Sequence, residues 1–574
     1  MMRRLDPLFG LVGTSCAMVM ALAASSRAAP EVVGVSFEPP TRTVRFYHLE
    51  LEVSASEAPY HVRGASVDGG EAFFITRVGG RESQMRVKRD QATVRPRKAA
   101  IRAGEPVTVA IRYPWEAGKS YEVSLTYGAR RRGGELETIA TTATALAAGG
   151  YAYPGWSEHR VIVLVEDEGL PRTDEPVTFF LSARGGEVGS FEKELRIARL
   201  DAKTGKTTEV PSQVLMEKSR DGLEGERRTS WEGEGRVVRT CQAAFLGDVP
   251  AHGQALYVVA YGNPSAKKPV YESDLRVRRD DDGRTWIEND YYELELHGQS
   301  GQVKGIRSRK FGRGAARSMG FSQYQLHYNP DVWIDGRAWS HTTSWDPPPN
   351  QRMTEGPIAV VTHRWGALPR VPEVEVSVTY TFFARTPYFV AESTMDVMED
   401  IRTRAIRNEE FVFDPPDSID HIGWKGPRGE IHYKAIEQEA GRVPGMLAVA
   451  PYDTPYACAV REASGLGAVG FMLRSYSGTR GGDPALRATS VMTFADYGWG
   501  FRYWSRLLAY PWGDYQPDRP FILNGDTFYA ARMAYGLFPL GEGEQPAERL
   551  RYVDQLNDRL RSPIRMDHQG AGPW

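Results

Sequence analysis

Residues 289–309, with the sequence NDYYELELHGQSGQVKGIRSR, predict a β-hairpin and decide the fold class of this chain. Tyr292, Leu294 and Leu296 alternate with polar residues, and this period of two is typical of a strand with one buried face. The Ser-Gly pair that follows predicts a turn, and Val303 begins the return strand. We therefore expect this stretch to open a β domain.

The same period of two recurs along most of the chain, and glycine, proline and aspartate separate the periodic runs. The runs lie at residues 49–53, 107–113, 121–127, 161–165, 177–181 and 374–383. Helical spacing is convincing at residues 546–560, where Leu550, Val553 and Leu556 recur before Pro563. The pattern predicts an all-β, multidomain β-sandwich protein with a packing helix near the end of the sequence.

The chain has 574 residues, which is too long for one ordinary core, so we expect several domains. Composition shifts and proline- and glycine-rich stretches predict their boundaries. The predicted divisions are a signal peptide at 1–28, an Ig-like β-sandwich accessory domain at 31–150, a small β-domain at 151–270, a large β-domain at 276–540 and a helical tail at 541–574.

The first residues predict a secretory signal peptide. Two arginines precede an apolar run, which ends in a small-x-small pattern at Ser26 and Ala28, so cleavage is expected near Ala28. A membrane anchor is the competing interpretation, but the apolar run is barely long enough to span a bilayer. A lipidated Cys16 is a further alternative. We expect a secreted or periplasmic protein with no membrane span after cleavage.

Composition excludes several classes of partner and cofactor. The formal net charge of −2 provides no basic field, so nucleic acid is not an expected partner. After cleavage Cys241 and Cys458 remain, which cannot form a disulfide framework, and whether they pair stays open. Histidine and cysteine spacings lack a zinc pattern, so no metal or other cofactor is predicted. A structural calcium ion at the DDDGR sequence of residues 280–284 is the open alternative.

Two stretches carry a resemblance to a known fold family. The hairpin at 289–309 and the sequence VSVTYTFFARTPYFVAESTMDV at 376–397 resemble the galactose-mutarotase-like β-supersandwich of many carbohydrate-active enzymes. The resemblance implies a supersandwich over 276–540 and sugar chemistry. The order of segments at 154–264 is similar to that in exo-rhamnogalacturonan lyases. Those lyases also have a helical toroid, for which this sequence leaves no room, so the resemblance carries over the fold and not the mechanism.

Residues 324–346, YQLHYNPDVWIDGRAWSHTTSWD, contain the densest group of candidate site residues. Aromatic faces stack on sugar rings and polar tips bind hydroxyls, so the mixture suits a saccharide cleft on a loop. The alternative is that the tryptophans form the loop's own small core. The predicted catalytic residues are His341, Tyr328 and His327, and the predicted substrate-binding residues are Arg337, Trp333, Trp339 and Trp345.

A second group lies at residues 402–421. Arg407 and Asn408 are predicted to bind a substrate carboxylate, because a guanidinium fork and an amide can both donate to it. If residues 408–413 form a strand, Glu409 faces one side while Asn408 and Glu410 face the other. The alternative is a solvated, charged strand edge. In a third group at 496–515, at least half of the aromatic residues are expected to be core.

The residues suit more than one reaction. In β-elimination of a uronate-containing glycan, Arg407 or Asn408 would neutralise the carboxylate, a histidine would take the C5 proton, and Tyr328 would protonate the leaving oxygen. The function predicted first is therefore an exported polysaccharide lyase. One alternative is a glycoside hydrolase that uses two carboxyl groups. The other is a non-catalytic glycan-binding protein, and the oligomeric state stays open. The available carboxyl groups are Asp331, Asp335, Asp346, Glu409 and Glu410.

Overall fold

The fold comes from a computed structural model, and its described residues fall into two compact units. The described residues of the first unit end at Thr144, and those of the second begin at Tyr153. The predicted signal peptide lies outside the described residues. The structure describes residues 30–38, 48–54, 60–78, 81–82, 100–101, 107–113, 115, 119–129, 135–144, 153, 155–184, 186–201, 206–219, 238–281, 284–311, 318–320, 326–327, 331–336, 339–413, 418–436, 445–450, 454–479, 492–496, 502–509 and 520–568.

The described part of the first unit is built from antiparallel strands. Its central strands run in the order β1-β2-β7-β4-β3-β8-β9, with β5 beside β4 and β6 beside β3. Alternating residues such as Leu49, Leu51 and Val53 are fully buried in one apolar core. The strands are β1 (Glu31–Glu38), β2 (His48–Ser54), β3 (Tyr60–Val67), β4 (Gly70–Val78), β5 (Arg81–Glu82), β6 (Ala100–Ile101), β7 (Val107–Arg112), β8 (Ser120–Gly128) and β9 (Glu137–Thr144).

The second unit begins with a small sandwich. One sheet has the order β13-β12-β16-β10, and a three-stranded sheet, β11-β15-β14, packs against it through Phe179, Phe245 and Tyr257. Cys241 is buried in this core as a free thiol. The elements are β10 (Glu158–Val165), β11 (Arg172–Arg184), α1 (Phe191–Glu194), β12 (Arg196–Leu200), β13 (Thr207–Val210), β14 (Ser212–Ser219), β15 (Val238–Val249) and β16 (Gln254–Tyr261).

A larger body of three antiparallel sheets follows. The first strands are β17 (Arg276–Arg279), β18 (Thr285–Glu288), β19 (Tyr292–Leu296), β20 (Val303–Ser308), β21 (Ser318–Gly320), β22 (Leu326–His327), β23 (Asp331–Ile334), β24 (Trp339–Ser340), β25 (Asn350–Thr354), β26 (Ala359–Leu368) and β27 (Val371–Phe383). The later strands are β28 (Tyr388–Val397), β29 (Ile401–Phe413), β30 (His421–Lys425), β31 (Ile431–Ala435), β32 (Gly445–Ala450), β33 (Tyr456–Arg461), β34 (Leu466–Thr479), β35 (Met492–Asp496), β36 (Arg502–Ala509), β37 (Phe521–Leu523) and β38 (Thr527–Pro539).

The predicted hairpin is confirmed. Strands β19 and β20 pair with Leu294 opposite Ile306, and Tyr292, Leu294 and Leu296 are buried as the alternation requires. The hairpin belongs to a five-stranded sheet, β17 to β21 in sequence order. Gly301 turns the chain with a φ of 66°, a left-handed conformation that glycine adopts without strain.

Two larger sheets enclose the main core. One has eight described strands, in the order β24-β23-β29-β36-β35-β32 with β22 and β37 also beside β29. The other has nine, in the order β25-β26-β27-β28-β38-β34-β33-β30-β31. Side chains from all three sheets, among them Ile287, Tyr380 and Trp504, share one apolar cluster. The all-β, multidomain β-sandwich prediction is therefore confirmed.

The tail contains the predicted helix and one strand that was not predicted. Helices α2 (Pro546–Arg549) and α3 (Arg551–Arg561) cover the predicted run, and Leu550, Val553 and Leu556 pack on the nine-stranded sheet. Strand β39 (Arg565–His568) then pairs with β10 and adds a fifth strand to the small sandwich. The tail is therefore only partly helical. None of the helices in the described residues has the length and apolar character of a membrane span.

Candidate functional site

Strand alternation assigns two faces to the eight-stranded sheet. On β23, Val332 points into the main core, so Asp331 and Trp333 lie on the opposite, outer face. On β29, Ile406 likewise points into the core, and its neighbour Arg407 pairs with Asp331 across the two strands. The outer face of the eight-stranded sheet therefore gathers polar and aromatic residues from both predicted site segments.

A β-bulge in β29 changes which residues reach this face. The pairing with β36 shifts between Asn408 and Phe411, and Glu409 has a φ of 57°, which is unusual for a residue other than glycine. Asn408 donates to Ser393 between the sheets, at 3.4 Å. The expectation that Asn408 and Glu410 share a face is therefore wrong, because the bulge turns both Asn408 and Glu409 inward.

The bulge brings Arg407 and Glu410 together on the outer face. Arg407 Nη1 lies 3.1 Å from Glu410 Oε2, and its Nε donates to Asp331 Oδ2 at 3.3 Å. Nη1 also donates to the hydroxyl of Tyr503, at 3.3 Å, and the guanidinium lies 4.5 Å from the ring centroid of Trp339. We call these five residues the arginine cluster.

The arginine cluster is a permanently charged and closely held group. Burial by itself lowers the pKa of Arg407, but Glu410, Tyr503 and Asp331 together raise it well above its ordinary value. The side chains of Asp331 and Glu410 are 1% and 3% exposed, while that of Arg407 is 14% exposed. Two carboxylates thus sit beside one guanidinium in a largely desolvated place, where such contacts are stronger than in water.

Trp333 extends the cluster into an aromatic surface beside Trp339. Trp333 and Trp339 are half-buried, with ring centroids 5.5 Å apart and planes inclined by 31°. Arg404 lies over the Trp333 ring at 5.6 Å and forms an ion pair with Asp335 at 2.8 Å. Arg402 contacts the same carboxylate at 2.9 Å. The aromatic faces and nearby polar tips are of the kind that binds sugars.

Of the other predicted residues, His327 and His341 lie in parts of the chain that the structure describes. The backbone of His327 pairs with Glu410 across β22 and β29, so this register position adjoins the cluster. His341 follows Trp339 by two residues in extended backbone, and its Nδ1 contacts the hydroxyls of Thr343 and, at 3.3 Å, Ser344. Tyr328 and Arg337 lie outside the described residues.

Trp345 and Asn408 do not reach the outer face. Trp345 is 4% exposed and its indole donates to the carbonyl of Ala367 at 2.9 Å, so its buried side chain is held against strand β26. Asn408 is fully buried between the sheets. When side-chain directions are unknown, a tryptophan in a loop or an asparagine in a strand is therefore weak evidence for a site.

Two features of the site were not among the predicted site residues, although Tyr503 belongs to the third group at 496–515. Tyr503 enters the cluster from β36, which neighbours β29 in the sheet but lies far from it in sequence. Inside the sheet pair, Arg506 Nε lies 2.5 Å from Glu409 Oε2, and Tyr529 donates to Glu409 Oε1 at 3.2 Å. The only sequence signal for the inner group was the doubled glutamate, whose opposite orientations were predicted.

The described residues offer no ready metal site. Among them, no three histidine, cysteine, aspartate or glutamate side chains are grouped closely enough to hold an ion. Asp280, in the DDDGR sequence, accepts from the Trp286 indole at 3.1 Å and lies 3.6 Å from Arg284. The arginine cluster itself offers two carboxylates, a guanidinium and a phenol.

The sequence matches no protein-family model and no curated protein. Among solved structures, a glycosyl hydrolase family 38 protein from Enterococcus faecalis is 12% identical, with a TM-score of 0.41 over 73% of this chain and 48% of its own. An α-mannosidase from the same organism is 12% identical, with a TM-score of 0.40 over 72% of this chain and 46% of its own.

A putative aldose 1-epimerase from Escherichia coli is 11% identical, with a TM-score of 0.26 over 46% of this chain and all of its own. This chain thus spans about half the length of the two Enterococcus proteins. Likeness at these TM-scores assigns neither a family nor an activity. The resemblance to exo-rhamnogalacturonan lyases stays a prediction.

Proposed function

We propose that this protein is an exported carbohydrate-processing enzyme that hydrolyses a glycosidic bond at the arginine cluster. The observation that carries the proposal is the contact of two carboxylates, Asp331 and Glu410, with the single guanidinium of Arg407. Export rests on the predicted signal peptide at residues 1–28. From the sequence alone, hydrolysis was an alternative to β-elimination. The contacts of Asp331 and Glu410 with Arg407 favour hydrolysis.

Glycoside hydrolysis needs two carboxyl groups about 5 to 10 Å apart, one to protonate the leaving oxygen and one to act as nucleophile or base. Asp331 and Glu410 contact different nitrogens of one guanidinium, which holds the two carboxyl groups close to each other. Arg407 would hold both carboxyl groups in position through the reaction. The ring of Trp339, beside Arg407, would stack on the sugar.

The charges at the site favour a neutral sugar. Three arginines (Arg402, Arg404 and Arg407) are matched by three carboxylates (Asp331, Asp335 and Glu410) among the described residues of this face. The face therefore offers no excess positive charge to attract a uronate. We propose a neutral glycan as the substrate, in place of the acidic glycan predicted from the sequence.

β-Elimination is less well supported by the same contacts. It requires an arginine or amide that neutralises the substrate carboxylate, but Nε and Nη1 of Arg407 already contact Asp331 and Glu410. Asn408, the second predicted donor, is buried between the sheets. The test below distinguishes the two reactions, because a lyase forms an unsaturated uronide and a hydrolase does not.

The test is product analysis with purified protein on neutral and uronate-containing polysaccharides. We expect new reducing ends from a neutral glycan without the ultraviolet absorbance of an unsaturated uronide. Glu410→Gln and Asp331→Asn should each lower the rate at least about 100-fold, the usual minimum contribution of a general acid or base. Circular dichroism of each variant should match that of the original protein.

A matched control uses an exposed ion pair on the other large sheet. Glu392 lies 3.4 Å from Arg532, and both side chains are about half exposed. Glu392→Gln should leave turnover unchanged. An ultraviolet-absorbing product would show that the reaction is β-elimination and not hydrolysis. Full activity in both Glu410→Gln and Asp331→Asn would show that these two carboxyl groups are not the catalytic pair.

A further inference from the structure

The outer face of the nine-stranded sheet contains an open area of aromatic and hydroxyl side chains. On β26, β27, β28 and β38 the residues that face the main core are buried. At one end of these strands the outward residues are also buried, in the cluster with α3, whereas the outward residues of this area are exposed or half-exposed. We call the aromatic and hydroxyl-bearing outward residues of this area the sheet-face patch, namely His363, Trp365, Ser377, Thr379, Thr394 and Phe528. The charged residues Glu375, Glu392, Asp396 and Arg532 lie among them on the same face.

The strand register arranges this patch as a regular array. Trp365 pairs with Ser377, Ser377 with Thr394, and Thr394 with Ala530, so one row crosses four strands. The adjacent row consists of His363, Thr379, Glu392 and Arg532. Phe528 lies on the fourth strand, three strand spacings or roughly 14 Å from the strand of Trp365. The hydroxyl groups of Ser377 and Thr394 therefore lie in a flat row between Trp365 and the strand that carries Phe528.

The Trp365 side chain is fixed by its neighbour. The His363 ring stacks on it with centroids 4.5 Å apart and planes inclined by 23°, and His363 Nε2 lies 2.9 Å from the hydroxyl of Ser377. Trp365 is nevertheless 36% exposed, which is high for a tryptophan. An exposed ring that is already held in place loses little conformational freedom when a ligand stacks on it.

We propose that the sheet-face patch binds a neutral polysaccharide chain that lies across the strands. Trp365 would stack on one sugar ring, and Ser377 and Thr394 would exchange hydrogen bonds with the hydroxyls of the chain. The flat shape suits an extended polymer better than an enclosed small molecule, which binds in concave sites. This surface is on a different sheet from the arginine cluster, so the proposal does not depend on hydrolysis there.

The charges around the patch select against an acidic chain. Glu375 and Asp396 face each other across β27 and β28, in the row that ends at Phe528. Glu392 is balanced by Arg532, at 3.4 Å. Arg352, which pairs with His363 across β25 and β26, is exposed and offsets one of the two acids. Burial, together with Arg364 and Arg352, lowers the pKa of His363, so its neutral imidazole does not offset the other acid.

The test is native affinity electrophoresis in gels that contain galactomannan, arabinoxylan, mixed-linkage glucan or polygalacturonate. We expect at least one neutral polymer to retard the protein, and Trp365→Ala to weaken that binding roughly 10-fold, the effect of losing one aromatic contact. Trp365→Phe should keep part of the retardation. Phe180→Ala, which removes an aromatic side chain that is 52% exposed on the small sandwich, is the matched control and should behave like the original protein.

Variants at the two sites should affect hydrolysis and polysaccharide binding independently. Trp365→Ala should hydrolyse a short soluble oligosaccharide at the original rate, whereas Glu410→Gln should keep full retardation in the gel. The proposal is overturned if no neutral polymer retards the protein, if only polygalacturonate does, or if Trp365→Ala is retarded normally. A change in sedimentation of Trp365→Ala would instead identify the patch as a contact between copies of the chain, and would also overturn it.

Discussion

Arg407 Nη1 lies 3.1 Å from the carboxylate of Glu410, although a regular strand would hold these residues on opposite faces. The left-handed backbone of Glu409, with a φ of 57°, makes the contact possible because it adds one inward residue between them. The same bulge places the Glu409 carboxylate beside Arg506 and directs the Glu410 carboxylate toward Arg407 on the outer side of the sheet. One backbone irregularity thus links the core to the arginine cluster.

Replacing Arg407 with lysine should lower turnover about 100-fold, the loss expected when reacting groups move by about 1 Å. A lysine keeps the charge but has no planar fork, so it cannot hold Asp331 and Glu410 at two separate nitrogens. Steady-state kinetics would measure the loss. Arg532→Lys, in the exposed pair with Glu392, should leave the rate unchanged, and an equal effect of both substitutions would argue against the cluster.

Glu409→Ala should lower the free energy of unfolding by about 3 to 5 kcal/mol, because it leaves the Arg506 guanidinium buried without its carboxylate. The same change at exposed Glu392 should cost less than about 1 kcal/mol. Urea unfolding monitored by tryptophan fluorescence would measure both. Similar midpoints for the two variants would show that the buried pair contributes no more than a surface pair.

The stacked His363 predicts a pH dependence of stability. Burial, with Arg364 and Arg352, holds the pKa of His363 below the ordinary value of 6.5 in the folded protein. As the pH falls below about 6.5 the unfolded chain therefore binds a proton that the folded protein does not, so the stability from the neutral ring is present above this pH and lost below it. Melting temperatures between about pH 5 and 8 should show the original protein losing its advantage over His363→Gln on acidification. A constant difference would contradict the shift.

Thiol titration should show no reaction in the folded protein and two thiols after unfolding in urea. Cys241 and Cys458 are both buried and free, and burial raises the pKa of each well above its ordinary value, so neither is an accessible thiolate. A third thiol after unfolding would be Cys16, and its presence in the exported protein would show that cleavage near Ala28 had not occurred.

The elements predicted correctly are those with strong local patterns. The hairpin around Gly301 and helix α3 followed from periods of two and 3.6, because the same core face must be buried along each element. The orientations of Glu409 and Glu410 followed in the same way. Strand β39 was not predicted, since four residues without a clear alternation join a sheet whose other strands lie hundreds of positions earlier.

The candidate site could be predicted only as a set of segments. Arg407, Trp333 and Trp339 were named from residue type, and the pairing of β23 with β29 brings them together. Local alternation could not indicate that Asn408 turns inward, because the left-handed residue that causes it is a glutamate and not a glycine. Nor could it place Tyr503, whose contact with Arg407 depends on long-range strand pairing.

The pairing of β10 with β39 sets an order for assembly. Ile162 lies opposite His568, and Arg172 donates to the carbonyls of Arg559 and Ser562, so the small sandwich is completed by residues made some four hundred positions later. Closing so long a loop slows folding, and until it closes one edge of β10 stays open to other chains. The small sandwich can therefore mature only after the large sheets have been synthesised, and aggregation during biogenesis is expected to begin at that edge.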